Sequence, residues 1–191
     1  CECEECQKLR PSDFYVMLLN EIDEKLTEKG LPTKLQCSAY VDCMFPPLQE
    51  RIKNPDRFLF KATPISRKYT QGLPKGECPP MQPYVRNHWK APRSTAEYFA
   101  YFKAWQEIYP GPCACYEYHF WKHQYRDPGS MSMSRILYED VRSWKDLRMN
   151  GGIEDGSNRS FFPNGFMDHI YCATLLDNNL DYEAELADYY S

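Results

Sequence analysis

The stretch CACYEYHFW, Cys113–Trp121, alternates between two kinds of side chain as a β-strand does. Strand side chains point alternately to opposite faces. One face of this stretch therefore carries Cys113, Cys115, Glu117 and His119. A second stretch, NGGIEDGSN at Asn150–Asn158, places Glu154 and Asp155 directly after a short Gly-Gly-Ile run. Carboxylates at the points where strands end and loops begin are typical of the catalytic sites of α/β barrels.

Outward from these two stretches, strand patterns and helix patterns alternate along the chain. Apolar periodicity and capping residues predict helices at Ser12–Gly30, Ser94–Tyr109, Ser134–Leu147, Phe166–Asn178 and Tyr182–Tyr190. The other strands are predicted at Lys34–Asp42, Phe58–Ile65 and Met149–Glu154. A long Pro-rich loop, Ser66–Arg93, follows the second strand, and loops of this length are often lids or binding loops.

A repeated strand and helix pattern predicts a parallel α/β sheet with right-handed crossovers. A small doubly wound sheet is one solution, but polar residues follow one face of the first strand, and doubly wound strands are normally apolar on both faces. Four strands are half of eight. We therefore expect residues 1–191 to be a single domain, the C-terminal half of a TIM-type (β/α)8 barrel taken from a longer multidomain protein.

The composition of the chain limits the kinds of molecule that it is expected to bind. A net charge of −4 argues against nucleic acid, whose phosphates need a concentrated basic surface. We expect no membrane span, because no apolar run approaches the roughly 18 residues that a span needs. The 15% aromatic content, with 15 Tyr and 4 Trp, suits either a compact aromatic core or a sugar-binding surface.

Six motifs, in order along nearly the whole chain, resemble a bacterial family catalogued as domain of unknown function 4838. They are CECEECQKL, LQCSAYVDCMFPP, ATPISRKY, CYEYHFW, GGIEDG and ATLLDNNLDYEAELADYYS. The resemblance implies a glycoside-hydrolase-like barrel from carbohydrate-degrading bacteria, located in the periplasm or secreted, with further domains upstream and downstream. It implies an oligosaccharide or polysaccharide as substrate, but no particular reaction. The chain departs from the family in a longer Met81–Arg93 stretch, in Glu117 where Asp is expected, and in Asp155 where Gln is expected.

Glu117 and Glu154 are the predicted catalytic residues. Glycoside hydrolysis needs two carboxyl groups, about 5 Å apart for retention and roughly 6.5–9.5 Å apart for inversion. Neighbouring strands lie about 4.8 Å apart, so two strand-end Glu side chains could meet either requirement. In the alternative interpretation they bind sugar hydroxyls or pair with Arg67 or Lys61, and the catalytic acid lies on a strand before Cys1.

Further residues near the strand ends are predicted to bind the substrate. They are Tyr40, Asp42, Arg67, Tyr69, Tyr118, His119, Trp121 and Asp155. Arg67 could hold an acidic sugar through two parallel hydrogen bonds, or fasten the long loop by a salt bridge. His119 could tune the pKa of the Glu117 carboxyl. Trp121 could stack on a sugar ring or pack in the loop.

Nine cysteines are present, and several fall inside predicted strands or helices. A full disulfide framework is therefore not expected, although one or two bridges between loops remain open. The CECEEC motif places Cys1, Cys3 and Cys6 at a spacing that could hold zinc if a fourth ligand arrives from elsewhere. No other cofactor is expected. A second metal site with His123 is not favoured, because alternation places Cys113 and Cys115 deep in the barrel.

Three hypotheses therefore remain. The favoured one is a glycoside-hydrolase-like enzyme with acid/base carboxylates at the barrel mouth. The others are a carbohydrate-binding barrel without catalysis and a structural domain stabilised by a metal at the CECEEC motif.

Overall fold

A computed structural model describes residues 1–121, 127, 131–156 and 165–191, which form an α/β fold with a four-stranded parallel sheet. The strands are β1 (Leu35–Ala39), β2 (Phe58–Ala62), β3 (Cys113–Glu117) and β4 (Gly152–Glu154). The helices are α1 (Glu4–Gln7), α2 (Pro11–Glu28), α3 (Thr95–Ile108), α4 (Met131–Ser143), α5 (Phe166–Leu176) and α6 (Tyr182–Tyr189), with short 3-10 turns at Val41–Cys43 and Pro55–Arg57. The predicted α/β class is confirmed.

The strands lie in the order β1-β2-β3-β4, and each pairs in parallel with the next. Every connection therefore moves in the same direction across the sheet. Because parallel crossovers are right-handed, connections that move in one direction all pass over the same face. The register aligns Cys115 with Gly152 and Glu117 with Glu154, so the stretches CACYEYHFW and NGGIEDGSN contain neighbouring strands.

One face of the sheet packs against the helices, and we call it the covered face. Phe60 is its centre, with ring centroids 5.6 Å from Phe102, 4.8 Å from Trp105 and 5.5 Å from Tyr109. These aromatic side chains are buried. Burying apolar area of this kind is the main driving force for folding, so the covered face holds the core.

The opposite face, here the open face, carries the alternate residues of each strand. Gln36 is exposed and Lys61 and Tyr116 are half-buried. Ile153, on the edge strand β4, is 39% exposed. The predicted polar face of the first strand therefore corresponds to the open face.

Several predicted boundaries are wrong for local reasons. The first strand ends at Ala39 and not at Asp42, because Val41 adopts a left-handed φ of 46° and starts a 3-10 turn. The second strand ends at Ala62, because the next main-chain N–H, that of Thr63, donates to the Tyr98 hydroxyl (2.5 Å) and Pro64 has no N–H to donate.

The helix starts also differ in detail. Helix α2 begins at Pro11, and the side chain of Asp13, not of Ser12, accepts from the main-chain N–H of Arg10 (2.8 Å). The predicted cap at Ser94 is confirmed, since its hydroxyl accepts from the N–H of Glu97. The short helix α1 was not predicted, and α4 begins three residues earlier than predicted.

Candidate functional site

A buried group of charged side chains lies at the carboxyl ends of β3 and β4. We call it the strand-end network, and its members are Arg67, Glu117, His119, Asp140 and Glu154. Four of them come from the predicted site. Residues 66–93, 118–121 and helix α4 supply the members that lie outside the strands.

His119 is the centre of the strand-end network. Its Nδ1 lies 3.0 Å from Glu154 Oε1, and its Nε2 lies 3.0 Å from Asp140 Oδ2. Its main-chain N–H also donates to Glu154 Oε2 (3.2 Å). Burial alone lowers the pKa of His119, but Glu154 and Asp140 outweigh that effect and raise it to about 10. Both ring nitrogens therefore carry protons at neutral pH, and the side chain is an imidazolium.

Arg67 joins the long loop to the same group. Its Nη1 donates to Glu117 Oε1 (3.1 Å), and its Nη2 donates to Asp140 Oδ2. No part of these three side chains is exposed. Burial alone lowers the pKa of Arg67, but the two carboxylates outweigh this and raise it above its usual value. Arg67 therefore stays charged.

Glu117 is enclosed on every side. The hydroxyl of Tyr69 donates to Oε2 (2.8 Å) and the thiol of Cys115 to Oε1 (3.3 Å), in addition to the bond from Arg67. Burial raises the pKa of Glu117, and the positive charges of Arg67 and His119 only partly oppose this. The Tyr69 hydroxyl also accepts from the N–H of Tyr118 (3.0 Å), which fixes the end of the strand.

Asp140 is the member that the sequence analysis missed. It lies on α4 with no exposed surface, and its Oδ1 accepts from the N–H of Leu73 (2.6 Å). Burial alone raises the pKa of Asp140, but Arg67 and His119 outweigh that effect and lower it. One sequence signal existed: Leu137 and Val141 form the buried stripe of the helix, and Asp140 falls on the same face. A carboxylate within an apolar stripe indicates a buried partner.

The charges in the strand-end network are nearly balanced. Three carboxyl groups face two cationic side chains, so one carboxyl group has no matching charge. Only Glu154 keeps some contact with solvent, at 8% exposure of its side chain. Glu117 as a catalytic residue stays a prediction, and its present contacts are those of a group that positions others.

The alternation predicted for Cys113–Trp121 is confirmed within β3, which ends at Glu117, whereas residues 118–121 form a turn. The face on which the cysteines lie differs from the prediction. The side chains of Cys113 and Cys115 were expected inside the barrel. They lie instead on the covered face, in register with Phe60 and Ala62, whose alternation places them against the helices. Glu117 follows the same alternation toward α4, because the apolar side chains before it need burial.

The predicted substrate-binding residues outside the network are mainly aromatic. Tyr40 is 42% exposed and Trp121 is 41% exposed. Tyr118 is buried, and its ring centroid lies 5.8 Å from Trp121 and 5.4 Å from Tyr116. The ammonium of Lys61 lies 5.1 Å from the Tyr116 ring, a cation–π contact on the open face.

The two remaining predicted binding residues are acidic. Asp42 is exposed in the 3-10 turn, away from any strand. Asp155 is half-buried, and its main-chain N–H donates to the carbonyl of Glu117 (2.7 Å). His123 lies outside the described residues.

The cysteines of the CECEEC motif lie together. The sulfur atoms of Cys1, Cys3 and Cys6 are all within 4.8 Å of one another, a grouping that could bind a metal ion. Hydrogen bonds from Cys6 lower the pKa of the Cys3 thiol, and the same pairing raises the pKa of Cys6. All nine cysteines of the chain are free thiols, so none of the bridges left open by the sequence is present.

Comparison with protein-family models, with curated proteins and with solved structures finds no match to this chain. In the described part of the chain, no helix combines the length and the apolar character needed to cross a membrane.

Proposed function

We propose that this chain is the C-terminal half of a TIM-type (β/α)8 barrel in a glycoside-hydrolase-like protein that acts on a glycan. The observation that carries the proposal is the strand order β1-β2-β3-β4, in which every connection moves in the same direction. Right-handed crossovers would then place the connecting helices on one face of the sheet. A doubly wound sheet reverses direction and so covers both faces, whereas a barrel winds in one direction and keeps its inner face free of helices. The open face would then line the barrel interior.

Carboxylates at the carboxyl ends of the strands support a catalytic role, because barrel enzymes build their sites there. Among the network carboxylates, Glu154 shares the covered face with Glu117 and is the one with solvent contact, at the end of its strand. His119 donates to it from both the ring and the main chain, which fixes the orientation of the carboxylate. A carboxylate held in this way can act as a nucleophile or general base, with the matching acid supplied by another part of the barrel.

Aromatic side chains support the glycan as the ligand class. Trp121 and Tyr40 each offer an exposed ring, and the Tyr118 ring contacts Trp121. A sugar presents an apolar face and a polar edge, which suits amphipathic rings of this kind. A bacterial extracytoplasmic location and neighbouring upstream and downstream domains accompany this proposal.

Two observations favour a glycan-binding barrel without catalysis as the second candidate. Glu117 has no exposed atom and is fully hydrogen-bonded, so it does not share a substrate with Glu154 in this conformation. Both oxygens of Glu154 already contact His119. The third alternative, a metal-stabilised domain, depends on the CECEEC cysteines, which share no residue with the strand-end network.

The test is a panel of oligosaccharides assayed for binding and hydrolysis with the intact protein and three variants. Glu154→Gln is expected to retain binding and to lower hydrolysis by about 10²–10⁴-fold, the usual contribution of a catalytic carboxylate. Trp121→Ala is expected to weaken binding about tenfold, since ring contacts contribute about 0.5–1.5 kcal/mol beyond area burial. Glu107→Gln, at an exposed glutamate on α3, is the matched control.

The outcomes separate the candidates. Hydrolysis that survives in Glu154→Gln would show that the carboxylate assignment is wrong. Glycan binding by the unaltered protein with no detectable hydrolysis would favour the non-catalytic barrel. Absence of glycan binding across the panel would reject both.

A further inference from the structure

The CECEEC turn has the dimensions of a thiolate metal site. In a tetrahedral zinc site with Zn–S bonds of about 2.3 Å, the sulfur atoms lie about 3.8 Å apart. The three sulfur atoms here lie within 4.8 Å of one another, so small side-chain rotations bring them to that distance. Cys1 and Cys3 are exposed and Cys6 is half-buried, which leaves a path for an ion to enter.

The turn is held in place by its own polar groups. The main-chain N–H of Gln7 donates to the carbonyl of Cys3 (3.0 Å), and its side-chain amide donates to the carbonyl of Glu2 (2.7 Å). These bonds bring the backbone of Cys3 close to that of Cys6. A preformed arrangement of this kind lowers the entropy cost of gathering three ligands.

The long loop also holds the turn. The guanidinium of Arg86 donates to the carbonyls of Cys1, Cys6 and Leu9. The side-chain amide of the next residue, Asn87, donates to the carboxylate of Glu2 (2.8 Å). Two segments about eighty residues apart in sequence therefore meet at the three thiols.

The charge of Arg86 also suits an occupied site. Three thiolates around one divalent ion carry a net charge of about −1. A guanidinium beside the cysteine carbonyls offsets that charge and provides donors that orient the backbone of the ligands. Outer contacts of this sort commonly change metal affinity by about 10–100-fold.

We propose that Cys1, Cys3 and Cys6 bind one zinc ion through three thiolates, and that the bound ion fastens the Arg86 segment of the long loop to the N-terminal turn. Water or a ligand from a neighbouring domain completes the fourth position. This inference is independent of the proposed action on glycans. Cys78, although it lies in the same long loop, is not among the grouped thiols.

The test uses the reduced intact protein, freed of metal and then titrated with Zn²⁺ or with Co²⁺, whose thiolate charge-transfer band reports sulfur ligation. One equivalent of metal is expected, together with a rise in the thermal unfolding midpoint. Cys3→Ser and Cys6→Ser are each expected to weaken zinc binding by more than about 100-fold, because they remove a direct ligand. Cys172→Ser, at an exposed cysteine on α5, is the matched control and should bind zinc as the native protein does.

Arg86→Ala tests the link to the loop. Zinc binding to this variant is expected to weaken about 10–100-fold, and limited proteolysis of the native protein at the Arg86 segment is expected to slow when zinc is bound. Circular dichroism confirms that each variant is folded before titration. The proposal is overturned if Cys3→Ser binds zinc as tightly as Cys172→Ser. It is equally overturned if reduced native protein shows no cobalt–thiolate band, or if a Cys3–Cys6 disulfide forms and resists reduction.

Discussion

The covered face and the open face of the same sheet differ in whether their polar side chains are buried or in contact with solvent. On the covered face, charged side chains without solvent contact meet at the strand ends, where the carboxyl groups share the cations Arg67 and His119. On the open face, Lys61 and Gln36 keep contact with solvent, and the Lys61 ammonium donates to the side-chain carbonyl of Gln36 (2.9 Å). Polar residues on a strand therefore do not by themselves identify a site: the face that they occupy decides whether they organise the fold or meet a ligand.

The difference has an energetic basis. An unpaired charge in a buried position costs several kcal/mol, so the strand-end network persists only because its members are paired. Exposed ion pairs contribute at most about 1 kcal/mol. Changes at charged side chains without solvent contact should therefore alter stability, whereas changes at solvent-exposed side chains should alter ligand binding.

Removal of Arg67 should have the largest effect. Arg67→Met leaves Glu117 and Asp140 buried beside one another without their shared cation. A loss of about 3–5 kcal/mol in the free energy of unfolding is expected, measured by urea denaturation. Arg51→Met, at an exposed arginine that donates to main-chain carbonyls, should change stability by less than about 0.5 kcal/mol. Similar losses in the two variants would contradict the distinction between buried, paired charges and exposed ones.

The next largest effect is expected in the pH dependence of the free energy of unfolding, which protonation of His119 causes. Its pKa is raised from 6.5 to about 10 by folding, so the protonated form stabilises the folded state. That contribution is complete below pH 6.5 and is lost as pH rises toward 10. The slope is at most about 1.4 kcal/mol per pH unit.

Urea denaturation across that pH range measures the slope. His119→Gln should flatten it, whereas His88→Gln, at an exposed histidine, should leave it unchanged. The quantity that matters is the difference in slope between variants, because other groups also titrate at alkaline pH. Equal slopes in the two variants would mean that His119 is not the imidazolium described here.

The smallest effect is expected for a pair of neighbouring glycines. A Cβ on Gly152 would overlap the ring of Trp144 on the covered face, whereas a Cβ on Gly151 meets nothing within 4 Å. Gly152→Ala is therefore expected to lose about 1–3 kcal/mol of unfolding free energy, and Gly151→Ala less than about 0.5 kcal/mol. A larger loss from Gly151→Ala, measured by the same denaturation assay, would reverse the assignment of the two faces.

Local sequence patterns predicted much of the fold, because they depend on local physics. The alternation in Cys113–Glu117 and the capping hydroxyl of Ser94 act within a few residues. The end of the first strand was not predictable, because it depends on the left-handed turn at Val41. The site was predicted in part: four network members lie at strand or loop boundaries, where sequence signals are strong. Asp140 lies within a helix and acquires its partners only through packing.

The sequence by itself determined that CACYEYHFW and GGIEDG form strands that end in carboxylates, because strand periodicity is local. Tertiary structure alone decided that these strands are neighbours and that Glu117 and Glu154 share the covered face, with Glu117 enclosed and Glu154 in contact with solvent. The physical reason is that alternation separates two faces but does not say which is buried. The buried face is decided by the aromatic side chains of α3, which pack on Phe60. The face that carries Cys113, Cys115 and Glu117 is therefore the one against the helices.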